Sequence, residues 1–396
     1  PVVWGAVGDV LDLFKLFPSV IVTYPPSGAP VLSLRPTELD FSRFKLYAPH
    51  VKSVQIYSRR FFAFSKWTIL NSVLHQRPFL PKLQSLVIHT WDLPRPRTLL
   101  YLGWINWLMS SSLNNVCITG NHNPDSFMSS LEVAAILQTL TEGCPQLEQL
   151  VLPDCSSRAS VVSEDMSISL GLLQTRPLEY YLAQLHNLRE LQGNLLLLTL
   201  EVIPTISALP QLRSLRLNRV CQESIPTSVK FDPSAFSALE SLRLTRIEAS
   251  RVGDALDLIP ALAQLTRFEL ETESDVEEGW LVTTLLPRLE QMTHLTVLHL
   301  SLDVISVSIE DDSLNSPAAI SAFSKLPLEE IKLRGVIIDD STDLASMFPS
   351  IRRLYIPDAE TCISLVRKAR DVRDRMAEKY GQEEAELMFP LDFFSN

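Results

Sequence analysis

PQLRSLRLNRV, residues 210–220, is followed after a spacer by SALESLRLTRI, residues 237–247, and each stretch holds Leu-x-x-Leu-x-Leu. The leucines are Leu212, Leu215 and Leu217 in the first copy and Leu239, Leu242 and Leu244 in the second. The second and third leucines alternate with polar residues, as a short strand buried on one face requires, and the first belongs in the turn leading into that strand. With Val, Ile or Phe allowed, the spacing recurs upstream at Val51/Val54/Ile56, Leu83/Leu86/Ile88, Leu113/Val116/Ile118 and Leu147/Leu150/Leu152. Leu188 and Leu191 continue it with Gly193 in the third slot, a degenerate copy. Downstream lie Leu265/Phe268/Leu270, Leu295/Leu298/Leu300, Leu328/Ile331/Leu333 and Ile351/Leu354/Ile356.

Self-similarity at a fixed period marks a solenoid in which each unit buries its apolar edge against the next. The mean step is about 30 residues, slightly longer than the usual leucine-rich repeat, which leaves room for a helix in each return segment. Ser129-x-x-Glu132 reads as a capping box opening a helix that Gly143 stops, and Ser316-Pro317 caps another running to Phe323. Asp254 to Ala263 and Trp280 to Met292 carry leucines at helical spacing, with Pro260 and Pro287 set to interrupt or displace them. Helices are wider than paired strands, so a stack with strands inside and helices outside curves. The expected fold is an α/β leucine-rich-repeat solenoid, a horseshoe with parallel strands on its concave face and helices and loops on its convex face. Residues 1–47 are expected to form an N-terminal helix and Pro-rich linker, 48–357 the solenoid, and 358–396 a capping helix and tail.

A chain of 396 residues, 46% hydrophobic, would accommodate two globular domains or one solenoid, and the repeats decide for the latter. A net charge of −11 argues against general nucleic-acid affinity. Cys117, Cys144, Cys155, Cys221 and Cys362 are odd in number, scattered and without C-x-x-C spacing, which suggests neither a disulfide framework nor a zinc site. No Asn-x-Ser/Thr sequon occurs, so a reducing intracellular compartment, cytoplasmic or nuclear, is expected. Apolar runs such as Leu195 to Leu198 fall far short of a membrane span. A basic leader is not seen before Asp9 and Asp12, and Pro1 in place of Met points to a trimmed or processed product. With 12 glycines and no phosphate-cradling, dinucleotide or nucleophile-elbow motif, no cofactor, metal or catalytic residue is expected. His294 and His299 lack an H-E-x-x-H frame; His89 and His299 fall at inward strand positions, where solvated surface histidine is the simpler reading.

In VVWGAVGDVLDLFKLFP, residues 2–18, Val2 to Phe17 reads as an amphipathic helix with Val7, Val10, Leu11, Phe14 and Phe17 on one side, ending at Pro18 and followed by the Pro-rich VTYPPSGAPVLSLRPT. This helix and FSRFKLYAPHVKSVQI, residues 41–56, resemble the F-box proteins with C-terminal leucine-rich repeats that are abundant in mushroom-forming fungi, the first matching the Trp-containing helix that leaves the F-box. The resemblance implies a non-catalytic substrate receptor of a cullin-type ubiquitin ligase, whose F-box docks on a small adaptor while the repeats hold the protein to be ubiquitylated. The F-box itself is expected upstream of Pro1 or is absent, and the adaptor contact is not assigned to residues of this chain. A repeat scaffold or inhibitor unrelated to ubiquitin is the alternative, and an enzyme using the concavity as a pocket a third.

Parallel strands leave alternate side chains facing the concavity. In the first five repeats these are mostly neutral, whereas the later ones carry Arg216, Arg243, Arg267, Lys332, Arg334 and Arg353, with His299 and Tyr355, and Arg219 and Arg246 close by. These eight inward residues are the candidate partner-binding set, suited to an acidic or phosphorylated segment. The competing reading is that Arg and Glu pair across neighbouring strands, as Arg243 with Glu269. The acidic runs 271–279 and 309–313 lack calcium-loop spacing and read as solvated. The serine-rich insertion 153–177 is a flexible loop or a flap. Residues 358–380 form an amphipathic helix suited to cover the open apolar end, a basic partner-binding helix being the alternative.

Overall fold

In the computed structural model the second apolar residue of every triplet lies on a parallel strand ladder. The structure describes residues 5–8, 10–14, 16–17, 20–23, 31–34, 42–57, 63–64, 78–89, 105–119, 128, 130–153, 176–218, 229, 231–232, 234–275, 279–303, 317–334 and 347–355. The expected helix 358–380, the acidic run 309–313 and nearly all of the insertion 153–177 lie outside those residues. Two compact units divide the chain, Pro1–Leu197 with Glu201–Leu212, and Leu198–Leu200 with Arg213–Asn396. Nothing in the repeat spacing foretold that division.

The described strands of the first unit are β1 (Ala6–Val7), β2 (Val20–Thr23), β3 (Val31–Leu34), β4 (Ser53–Tyr57), β5 (Ala63–Phe64), β6 (Ser85–His89), β7 (Asn115–Thr119), β8 (Gln149–Val151) and β9 (Glu190–Asn194). Strands β1, β4 and β6 to β9 pair in that order, all parallel, with Ser53, Ser85, Asn115, Gln149 and Glu190 in one row. The next row is Val54, Leu86, Val116, Leu150 and Leu191, every one buried. The second unit contains β10 (Ser214–Asn218), β11 (Ser241–Ile247), β12 (Arg267–Asp275), β13 (Val297–Asp303), β14 (Glu330–Arg334) and β15 (Arg353–Tyr355), again parallel and in order. Leu215, Leu242, Phe268, Leu298, Ile331 and Leu354 share a row. Only Leu354, on β15, is partly exposed.

Two backbone devices recur with the repeat. The first apolar residue closes a turn, its N–H donating to the carbonyl three residues back, as from Leu83 to Leu80, Leu239 to Phe236, Leu265 to Leu262 and Leu295 to Met292. One carbonyl then accepts the two N–H groups that open the next strand. The Lys52 carbonyl takes Gln84 and Ser85, Glu240 takes Thr266 and Arg267, and Thr296 takes Glu329 and Glu330, all at 2.7–3.1 Å. The peptide groups that lead into each strand are thereby satisfied within the ladder.

The start of the chain departs from the expected helix. Ala6–Val7 is a strand opposite Ser53 and Val54, and among the described residues of this stretch Val10–Phe14, α1, is helical. Gly5 accepts hydrogen bonds from Lys52 and Ser53 at 3.0 Å, and Gly8 follows the strand. Two glycines weaken a helix that strand pairing then displaces. The expected Pro-rich connection also contains structure: β2 and β3 pair antiparallel, and β3 pairs with β5. Phe14, Phe17, Phe79 and Trp107 form a ring cluster in which Phe44 of helix α2 (Ser42–Tyr47) stacks on Phe17 and Phe79, the Phe44 and Phe79 rings 4.1 Å apart.

Return segments supply the helices. In the first unit α3 (Ser130–Gly143) packs on α4 (Leu178–Leu182), which packs on α5 (Ile203–Ser207). Gly143 ends its helix for a reason other than a left-handed turn: a Cβ there would lie 2.7 Å from the Met109 side chain. In the second unit α6 (Ala249–Asp257) sits earlier than the expected 254–263, leaving Pro260 beyond the helix. The expected 280–292 helix becomes a π turn, Leu281–Leu285, running into α7 (Leu286–Leu289). Pro287 cannot donate to the 283 carbonyl and its ring crowds that oxygen, so the preceding turn widens. Arg288 crosses to α6 and holds Asp257 bidentately at 2.9 and 2.7 Å, passing over Gly253, where a Cβ would lie 3.1 Å from the guanidinium. α8 (Pro317–Ser324) packs on α7.

Candidate partner-binding face

Because the triplets face the core, the intervening side chains of each ladder form rows on the opposite face. In the second unit one row is Ser214, Ser241, Arg267, Val297, Glu330 and Arg353. The row beside it is Arg216, Arg243, Glu269, His299, Lys332 and Tyr355. A third holds Asn218, Thr245, Glu271, Ser301 and Arg334. All eight candidate residues thus stand on the same strand face, within three adjacent rows.

They are not equivalent. Arg243 pairs with Glu269 across the ladder at 3.2 Å, Arg267 reaches the same carboxylate at 2.6 Å, and His299 approaches it at 3.7 Å through Nδ1. The other ring nitrogen, Nε2, lies 2.9 Å from Glu330, which also accepts from Arg353 at 3.2 Å. A continuous chain of polar contacts therefore runs across β11 to β15 with His299 at its middle. The cross-strand pairing of Arg243 with Glu269 is present, and Glu269 and Glu330, which the candidate set omits, are its hubs. Glu269 lies between the buried Phe268 and Leu270, and Glu330 directly before the buried Ile331, so their position was readable from the sequence while their choice of partner was not.

Burial pushes the Glu269 carboxyl up. A hydrogen bond from Arg267 and the charges of Arg243, Arg267 and His299 outweigh that and hold it below its ordinary value. Glu330 is lowered in the same way: burial opposes, while His299 and Arg353 prevail through hydrogen bonds and charge. The unfolded chain therefore binds more protons than the folded one near and below the ordinary value of 4.5. The stabilisation is present above that pH and disappears as the pH falls through the depressed folded values. Denaturation midpoints measured from neutral to acid pH are expected to fall in this window, and Glu269→Gln with Glu330→Gln is expected to flatten the acid limb. An unchanged acid limb in the double variant would show that these pairs contribute no net stability.

Downstream of the chain the face opens. Lys332, Arg334, Arg353 and Tyr355 are exposed. Lys332 is the register partner of Tyr355, and among the described residues no carboxylate lies within ion-pair distance of it. Upstream, Arg246 takes a left-handed φ of 57° at the bulge where Thr245 opposes Glu271 and Ile247 opposes Thr272. The bulge buries Thr245, whose hydroxyl lies 2.7 Å from the Asn218 side-chain oxygen.

The corresponding face of the first unit is nearly uncharged, with Ser53, Ser85, Asn115, Cys117 and Gln149 in its rows. His89 lies 3.0 Å from the Thr119 hydroxyl, and burial lowers its pKa. Cys144 is a buried free thiol pushed up to about 11 by burial, the Ser110 backbone opposing this more weakly, so it acts as a core residue. Among the described residues no group of three His, Cys, Asp or Glu side chains could hold a metal ion, and no helix is long and apolar enough to cross a membrane. No known family model and no curated protein matches the chain.

Proposed function

We propose that this chain is a non-catalytic protein-binding receptor built on leucine-rich repeats, acting inside the cell as the substrate-recognition part of an F-box subunit of a cullin-type ubiquitin ligase. The observation that carries the receptor reading is the set of three laterally continuous rows across β10 to β15. Their spacing, one strand per step, matches an extended or irregular polypeptide laid across the ladder better than a small molecule, which needs a concave pocket. The ligase part is supported by the 41–56 run and the repeat architecture. Residues 6–7 contribute a strand, so the likeness of residues 2–18 to a trailing F-box helix lends it no weight.

Affinity purification of the full-length protein is the test. Recovery of a small adaptor and a cullin with it is expected. Recovery of other proteins without those two would leave a repeat scaffold, and recovery of no protein partner would remove the receptor reading altogether.

A further inference from the structure

We infer that the first unit carries an interaction surface of its own, apart from the face of β10 to β15: a cationic rim of Arg43, Lys45, Lys52 and Lys82 around the exposed Leu46. Its occupant is a short acidic segment of another protein, with an apolar residue among its carboxylates. Residues 41–124 hold ten Lys or Arg against one Asp, a balance of +9 on a chain of net charge −11, so the remainder carries −20. Charge segregated to that degree attracts anions to one stretch of a chain that otherwise repels them.

The core brings these cations together. Phe44 is buried and stacks on Phe79 with the rings 4.1 Å apart, so its exposed neighbours on α2, Arg43, Lys45 and Leu46, stand beside the turn that carries Lys82. The Lys52 carbonyl accepts the Gln84 and Ser85 N–H groups at 2.7 and 2.9 Å, which holds Lys52 next to the same turn. All four cations are exposed, and among the described residues none of their side chains takes part in an ion pair. The described stretches 42–57, 78–89 and 105–119 contain no Asp or Glu. A partner carboxylate therefore displaces no existing pair at the rim, whereas at Arg243 or Arg267 it has to compete with Glu269. Leu46 is 63% exposed, the most of any large hydrophobic side chain among the described residues, and offers an apolar contact that phosphates do not use. A nucleic-acid duplex or an anionic bilayer extends far beyond the Debye length of about 8 Å and also meets the −20 of the remainder. A peptide of a few residues is confined to the rim, where carboxylates meet the cations and an apolar side chain meets Leu46.

The test uses the full chain and a fluorescein-labelled peptide of alternating glutamate and serine with one central leucine, read by anisotropy at two salt concentrations. Lys45→Glu/Lys52→Glu is expected to weaken binding by at least about tenfold and to reduce its salt dependence. Leu46→Ser is expected to weaken it about threefold with the salt dependence unchanged, because that side chain contributes apolar contact. Lys45→Gln/Lys52→Gln guards against a folding defect from charge reversal and should give an intermediate loss. Lys332→Glu/Arg334→Glu, on the face of the second unit, should give none. Equal binding by wild type and Lys45→Glu/Lys52→Glu, or no binding of the peptide by wild type, would overturn the inference. A loss in Lys332→Glu/Arg334→Glu as large as in Lys45→Glu/Lys52→Glu would overturn it too, since the rim would then not be the site. So would a DNA duplex or a phosphatidylserine vesicle bound more than about tenfold tighter than the peptide, since the partner's acidic groups would then be phosphates or lipid headgroups.

Discussion

Phe268→Ala is expected to destabilise the second unit by about 3–5 kcal/mol, the range for removing a large aromatic from a packed core. Phe268 is fully buried and stands in the row between Leu242 and Leu298. It occupies the slot that leucine fills on both neighbouring strands, so its ring is the largest side chain in that row of the ladder. Truncation leaves a cavity bordered by two strands that are held in register by their own hydrogen bonds and cannot close over it. The control lies one residue away: Arg267→Ala removes a solvent-facing partner of Glu269 and is expected to change stability by about 1 kcal/mol or less. Chemical denaturation followed by fluorescence and circular dichroism measures both. A Phe268→Ala loss below about 1 kcal/mol would mean that the row does not form a tightly packed layer.

That row was legible because leucine spacing and strand periodicity are the same fact. A side chain every second residue faces the core, and the ladder aligns those residues across repeats. A further periodic position escaped the spacing search, the residue three before the first leucine. Leu80, Cys144, Leu185, Leu209, Phe236, Leu262, Met292 and Phe348 hold it, all buried and each accepting the turn's hydrogen bond. Its chemical variety, from cysteine to phenylalanine, hides it from a search for leucine. The helix expected over residues 2–17 failed because burial of Val7, Val10, Phe14 and Phe17 was correctly indicated, yet apolar spacing does not separate a helix from a strand followed by one helical turn. At the face, the sequence placed Arg243, Arg267, His299 and Arg353 on the right side of the strands, since orientation follows from parity. Arg267 meets Glu269 on its own strand, but which carboxylate Arg243, His299 and Arg353 meet depends on register between strands more than twenty residues apart in the chain, and on rotamers, neither of which is local.

Gly193→Leu restores the consensus at the one degenerate repeat and is nevertheless expected to destabilise the first unit, by about 1–3 kcal/mol as in an overpacked core. By sequence the glycine looks like a missing leucine, and filling it looks like repair. In the structure its place is already taken. A Cβ on Gly193 would lie 2.7 Å from Leu197 Cδ1 and 3.3 Å from its Cγ. Leu197, in the 3-10 turn Leu195–Leu198 directly after β9, is buried and turns back into the slot that Leu152 fills on the neighbouring strand. Gly193→Ala should be milder than Gly193→Leu, because the closest atom is the far end of a flexible side chain. Leu197→Ala alone should cost about 2–5 kcal/mol through the cavity it leaves. The decisive variant is the exchange, Gly193→Leu with Leu197→Ala, in which the leucine side chain moves from the turn to the strand. If the two residues share one site, the double variant should be more stable than the sum of the single losses by about 1 kcal/mol or more. Strict additivity would show that Leu197 and the third slot are separate, and that the repeat tolerates glycine for some other reason.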